Sequence, residues 1–171
     1  NNRTYRSRGI QTRAEYRFNL NEFFFDLEFG LRYHADEEDR FQWDDSYSMK
    51  NKKMVLFMEG IHGTNANRVT SANALAGYLL AKLRYDAWTV TAGLRYEDVD
   101  LLKKDYTKED LARSGKVRIE TPNHARVLIP GVGLHYQLMP AASVFFGIHK
   151  GFAPPSAELY QKPESSVNME L

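Results

Sequence analysis

The feature that most constrains this chain is an alternation of apolar and polar side chains that runs far longer than an ordinary strand. From Ile10 to Leu20 the even positions are Ile10, Thr12, Ala14, Tyr16, Phe18 and Leu20, and the odd ones are Gln11, Arg13, Glu15, Arg17 and Asn19. After Asn21-Glu22 the pattern resumes, with Phe23, Phe25, Leu27, Phe29, Leu31 and Tyr33 set against Asp26, Glu28, Gly30, Arg32 and His34. A period of two puts successive side chains on opposite faces of a strand, and two such runs joined by a two-residue turn predict a hairpin. Each run is about twice the usual strand of roughly five or six residues, which suits a tilted crossing of a bilayer.

Further runs repeat the pattern. Leu75, Leu79, Leu83 and Tyr85 mark a weaker strand over about 72–85, and Asp86-Ala87 leads into Trp88, Val90, Ala92, Leu94 and Tyr96. Leu128, Val132, Leu134 and Tyr136 mark another, locally weakened by Pro130. A turn at 139–141 joins it to Val144, Phe146 and Ile148, and 165–171 begins one more. The connections alternate: short at 21–22, 86–87 and 139–141, long at 35–71, 98–126 and 153–164. One short rim and one long rim is the asymmetry of outer-membrane barrels. The polar 35–51 stretch reads as loop, Met54 to Met58 as part of a loop hairpin, and 108–113 as a short helical turn inside the second long loop. Seven main strands cannot close a single-chain barrel of even strand number, and the chain starts at Asn1 without a leader-like segment and stops at Leu171 in a strand. The expectation is an all-β antiparallel barrel, present in part over residues 1–171.

Composition narrows the function. Lys and Arg number 23 against 22 Asp and Glu, a net charge of +1 that lacks the basic excess of a nucleic-acid binder. There is no Cys, which removes disulfides, thiolate metal sites and cysteine nucleophiles. No run approaches the roughly 18 apolar residues of a membrane helix, and the mean hydropathy is -0.54, an average that a barrel of alternating strands also shows. His135 and His149 lie in no metal-ligand spacing with another His, so no metal or cofactor is expected. Asp36 to Asp39 with Asp44 and Asp45 lacks the glycine and spacing of a calcium loop and reads as a solvated segment. Gly131-Val132-Gly133 is followed by no helix, which removes a nucleotide site. Ser143 and His149 are too far apart along one strand, about 20 Å, for a nucleophile and its base.

The tetrapeptide Gly-Leu-Arg-Tyr occurs at 30–33 and again at 93–96, each time with Leu and Tyr on the apolar face. Tyr33 and Tyr96 fit one interfacial aromatic girdle, and Trp88, Tyr85, Tyr16 and Phe23 the opposite one. The segment Gly147-Ile148-His149-Lys150-Gly151-Phe152-Ala153-Pro154-Pro155, then Glu158-Leu159-Tyr160, then Pro163 and Glu164 with Asn168, Glu170 and Leu171, resembles the late-barrel signature of TonB-dependent outer-membrane receptors. The family-motif positions are Gly151, Phe152, Pro154, Pro155, Pro163, Glu164, Asn168 and Glu170. With the paired tetrapeptides and the 36–41 segment, the likeness is to the ferric-citrate kind of receptor. Phe152-Ala153-Pro154-Pro155 without the second element of the haem receptors argues against haem.

The resemblance implies a monomeric barrel of about 22 strands in the outer membrane of a Gram-negative bacterium. Its lumen would be filled by an N-terminal plug that this chain does not contain. It would lie in bilayer and lipopolysaccharide, and be energised by TonB and the inner-membrane complex through a segment outside this chain. It also implies import of a ferric chelate, citrate or siderophore, as transported ligand, with no catalysis. Candidates for binding such an anion are Arg32, His34, Arg95 and Glu97 on the lumen side near the long rim, and Trp43 and Tyr47 in the first long loop. Pairing of the charged four among themselves or with the plug is the competing role. Lys103, Lys104, Lys108, Arg113, Lys116 and Arg118 form a mixed-charge surface with the acids of their segment. A passive porin, an outer-membrane enzyme and a soluble glycan-binding β domain remain the other classes.

Overall fold

The computed structural model describes residues 2–108, 110–115, 117–158 and 161–171. They form nine strands: β1 (Asn2–Leu20), β2 (Phe23–Gln42), β3 (Ser46–Lys50), β4 (Lys53–Met58), β5 (Ala66–Tyr85), β6 (Trp88–Asp105), β7 (Ile119–Met139), β8 (Ala142–Ala153) and β9 (Glu164–Glu170). Seven build one sheet in the order β1-β2-β5-β6-β7-β8-β9, every neighbouring pair antiparallel, with β1 and β9 as open edges. β3 and β4 pair only with each other, as the hairpin expected around Met54 to Met58. No helix is present among the described residues.

The short rim forms for local reasons. Asn21 and Asp86 take φ of 53° and 49° at the heads of the two-residue turns 21–22 and 86–87. That left-handed backbone is what a tight hairpin needs and what Asn and Asp tolerate. The long rim differs from the reading of 35–51 and 98–126 as loop. β2 continues to Gln42 and β6 to Asp105, while β7 starts at Ile119 and β5 at Ala66, so the strands rise well past the apolar belt. Cross-strand ion pairs replace apolar contacts there: Arg3 to Glu38 at 3.0 Å and Arg6 to Glu37 at 3.8 Å. The acidic run 36–39 is therefore strand, and the Gly-Leu-Arg-Tyr copies lie in mid-strand. Lys108, Leu111 and Ala112 are turn residues where a helical turn over 108–113 is expected, and Glu109 lies outside the described residues.

Register sorts the side chains into two faces. One carries Phe29, Leu31, Leu75, Leu79, Leu94, Val132 and Phe146, all 42–53% exposed. A one-layer sheet baring such a surface calls for lipid on that side. From Phe23 to Tyr33 this belt rises roughly 33 Å along the strand, about 25 Å at a tilt of ~40°. Aromatic rings crowd its short-rim border: Phe18 stacks on Phe25 at 4.7 Å, Phe23 on Tyr85 at 4.5 Å, and Trp88 packs on Tyr136 at 4.3 Å. At the other border Tyr33 donates to Asn73 and Tyr96 to Asp98, both at 3.2 Å, the amphipathic posture of interfacial tyrosine.

The opposite face is polar. Arg13 bridges to Glu15 and reaches Glu28 at 3.0 Å, Arg17 reaches Glu15 at 3.1 Å, and Arg84 reaches Asp26 at 3.0 Å. Tyr78 lies over Gly30, where a Cβ would stand 2.4 Å from its ring, and donates to Glu28 at 2.6 Å. Beside this paired network the wall is bare: Gly93 stands opposite Gly131, and Gly133 opposite both Thr91 and Gly147.

Candidate functional site

The polar face above the Tyr33 level is the part of the chain able to meet a ligand. His34 shares a 2.8 Å hydrogen bond with Ser7 Oγ through Nε2, and its Nδ1 lies 3.2 Å from Asp36. Gly9 faces the ring, since a Cβ there would stand 3.2 Å from His34 Cδ2. Hydroxyl, imidazole and carboxylate stand in the order of a serine-hydrolase relay. Ser7 is exposed, however, whereas that chemistry depends on oxyanion stabilisation in a water-excluded pocket. The arrangement instead fixes the His34 ring on the wall.

Arg95 and Glu97 bind each other at 2.6 Å. Arg32, opposite Gln11 and Ala76, is exposed and makes no ion pair among the described residues. Trp43 packs on His62 at 3.9 Å and edge-on to Phe41 at 5.9 Å, while Tyr47 stands 55% exposed on the β3–β4 hairpin. Arg32, His34, Arg95 and Glu97 thus share one face, and Trp43 and Tyr47 stand apart from them.

The motif positions of the last segment have local reasons. The Ser166 and Asn168 side chains occupy the space over Gly151, where a Cβ would stand 3.0 Å from Asn168 Nδ2 and closer still to Ser166 Oγ. Asn168 hydrogen-bonds His149 at 3.2 Å, Glu164 pairs with Ala153 and Glu170 with Gly147. Phe152 is half-buried, Pro154 and Pro163 are exposed, and Pro155 and Ala157 are buried. The Asn123 amide, on the polar face of β7, donates to the carbonyls of Ser156, Glu158 and Gln161 at 3.0, 3.3 and 3.0 Å, which folds 154–158 inward across the wall. Leu159 and Tyr160 lie outside the described residues.

The 106–118 connection folds the other way. Arg113 donates to both oxygens of Asp39 at 2.7 and 2.6 Å and to Asn67 Oδ1 at 2.8 Å, with its guanidinium 5.2 Å from the Tyr106 ring. The hydrogen bond to Asp39 holds this guanidinium still more firmly protonated than usual. Arg113, counted from sequence among the mixed-charge loop cations, is thus engaged in a latch on the outer side of the sheet. Asp110 accepts from Gly115 N at 2.8 Å and Ser114 N at 3.1 Å, which holds its carboxyl below the ordinary 3.8. A depressed folded-state pKa adds stability above the unfolded value that is lost as pH falls through the folded one. Amide protection in this connection is therefore expected to stay level from about pH 5 to 8 and to fall below pH 3.8, as hydrogen exchange would read.

On the apolar side, above Tyr96, Asp98 accepts from His124 at 2.6 Å and from Arg126 at 2.9 Å. Asp98, Asp100 and His124 offer ligand atoms within 4.8 Å of one another. Both Asp98 oxygens are already engaged, so this is an ion-paired knot.

Sequence reasoning passed over a row of arginines near the top of the polar face: Arg3 stands directly opposite Arg40, and Arg40 opposite Arg68. The signal available was parity, since Arg40 continues the polar register of Asp26, Glu28 and Arg32.

A seven-stranded antiparallel sheet with a lipid-type face, two aromatic borders, short turns on one rim and tall charged strands on the other is a piece of a membrane β-barrel wall. The family model described as TonB dependent receptor-like, beta-barrel, matches residues 1–171, and the chain belongs to that family of outer-membrane transport receptors. No curated protein matches the chain. Among solved structures it is similar to the ferric citrate transporter FecA in its unliganded form, with a TM-score of 0.65 at 18% identity, covering 91% of this chain and 21% of that one. It is similar as well to the ferric-catecholate import receptor Fiu from E. coli K12, with a TM-score of 0.66 at 12% identity over 90% of this chain and 24% of that one. The siderophore receptor PiuA from Acinetobacter baumannii gives 0.66 at 11% identity over 91% and 25%. The chain spans roughly a fifth to a quarter of the length of these structures.

Proposed function

We propose that this chain forms part of the wall of a receptor in the outer membrane of a Gram-negative bacterium that captures a ferric chelate, citrate or siderophore, and imports it with energy delivered by TonB. The supporting observation is the division of the polar face. Its short-rim half is a closed network of ion pairs, whereas its long-rim half holds Arg32 and the Arg3–Arg40–Arg68 row in excess of nearby acids. Closed pairing suits a structural wall, and guanidinium groups that outnumber their carboxylates suit capture of an anion arriving from outside. The bare glycine wall of β6, β7 and β8 offers room for a plug to lie against it. The short turns would then face the periplasm, and the tall strands would stand in the lipopolysaccharide layer.

The test is accumulation of radioactive iron from ferric chelates by iron-starved cells that express the whole receptor as their only one, with and without TonB. Uptake that requires both receptor and TonB is expected. Passive, TonB-independent flux of small solutes through the purified protein in planar bilayers would instead assign it to the porins.

A further inference from the structure

The β3–β4 hairpin joins no other strand among the described residues, so β4 keeps one edge open. That edge is Met54-Val55-Leu56-Phe57-Met58, an unbroken apolar run whose residues are 44–75% exposed. A hairpin of two strands is marginal in water, and a bare apolar edge is a template for a further strand. The turn decides which backbone groups the edge offers. Asn51 and Lys52 hold φ of 52° and 63°, the two-residue turn whose flanking residues, Lys50 and Lys53, exchange both backbone hydrogen bonds. Lys53 and Val55 therefore spend their N–H and C=O groups on β3, whereas Met54 and Leu56 turn theirs to the open side. Beyond Leu56 the register shifts and Phe57 has no partner in β3, so β3 loosens its hold on the end of the strand.

The run ends in opposite charges. Lys53 opens it and Glu59 follows it, both exposed and neither in an ion pair among the described residues. Laid antiparallel on itself about Leu56, the stretch from Lys53 to Glu59 is self-complementary. Lys53 falls opposite Glu59 of the partner subunit, Val55 opposite Phe57 of the partner subunit, and Leu56 meets its own copy. Opposite charges and apolar pairs set directly across an antiparallel ladder both stabilise it.

We infer that two copies of the receptor pair through β4, antiparallel about Leu56, so that their hairpins form one sheet across an isologous two-fold. The family resemblance implies a monomer, and the open edge makes it a pair. Two receptors in one membrane keep the same rim outward, so the two-fold runs along the membrane normal and the joined sheet lies parallel to the surface.

The test uses the whole receptor, cleared of any other cysteine, in sedimentation experiments and in mild oxidation of single-cysteine variants. A concentration-dependent dimer is expected. Leu56→Cys is expected to link into a dimer, since a residue facing its own copy in a hydrogen-bonded pair has a Cα spacing of about 5.5 Å, within disulfide reach. Met49→Cys, at an exposed position on β3, is expected to stay unlinked. Lys53→Glu turns both ion pairs into repulsions and should weaken the dimer about tenfold or more, and adding Glu59→Lys should restore it. A receptor that stays monomeric at every concentration overturns the pairing, as does linkage of Met49→Cys as readily as Leu56→Cys, or a dimer indifferent to Lys53→Glu. Linkage of Leu56→Cys in intact cells only to a different polypeptide also overturns it and assigns the edge to a foreign strand. The import reading is tested separately by iron uptake and stands or falls apart from these outcomes.

Discussion

Leu79→Arg is expected to destabilise the folded receptor in bilayers by about 2–4 kcal/mol, while Leu80→Arg stays within about 1 kcal/mol of wild type. The two positions are adjacent in β5, but their register partners differ. Leu79 sits in the row of Ala14, Phe29, Leu94 and Pro130, midway between the aromatic borders, and is 53% exposed on the apolar face. A charge placed there would stand in the hydrocarbon midplane. Leu80 lies opposite Glu28 and Gly93 on the polar face, where an added guanidinium finds a carboxylate and room. Denaturant titration of the whole protein in vesicles would measure both. Equal penalties would mean both faces are packed in a protein core, which is the behaviour of the soluble glycan-binding alternative.

Asn67→Ala is expected to release the 106–118 connection while leaving the sheet folded. Asn67 is 5% exposed, donates to the carbonyls of Thr107 and Asp110 at 2.9 and 3.0 Å, and accepts from Arg113 Nε at 2.8 Å. Removing the amide takes a second donor from two carbonyls that keep one backbone partner each, and leaves the Arg113 Nε–H without its acceptor in a shielded place, about 2–3 kcal/mol of local stability. Hydrogen exchange in the connection would then speed up by roughly 30-fold or more, with the protection of β5 and β6 unchanged. Arg113 holds a φ of 51°, a strained backbone for a side chain with a Cβ, and the latch is what keeps it there. A double-mutant cycle of Asn67→Ala with Arg113→Lys should give a coupling of about 0.5–3 kcal/mol, since both act through the same contacts.

These contrasts show which parts of the molecule could be read in advance. Period two, the two faces, the short turns and the β3–β4 hairpin were legible because each follows from local chemistry: parity along a strand, or Asn and Asp at a left-handed turn. The strand tops were not. From Asp36 to Arg40 both faces are polar, so alternation vanishes, and the strand is held by partners in β1 such as Arg3 and Arg6 that lie far away in sequence. The opposite folding directions of 106–118 and 154–158 depend on single side chains, Arg113 with Asn67 and Asn123, whose partners no short pattern encodes. Within the site, parity placed Arg32, His34, Arg95 and Glu97 on one face. It could not foresee that Ser7 and Asp36 would flank His34, or that three arginines from three strands would fall in one row, because register across strands sets both.

The central claim is that one face of this sheet meets lipid and the other an aqueous lumen. These residues include no Cys, and single cysteines placed in turn from Phe25 to His34 and from Trp88 to Glu97, in a whole receptor cleared of any other cysteine, would carry nitroxide labels through both belts. In bilayers the account predicts that access to oxygen, which partitions into lipid, peaks at Phe25, Leu27, Phe29, Leu31 and at Val90, Ala92, Leu94. Access to a water-soluble nickel chelate should never peak at those positions. Uniform low access to both reagents at every position would contradict the claim and return the sheet to the interior of a soluble protein.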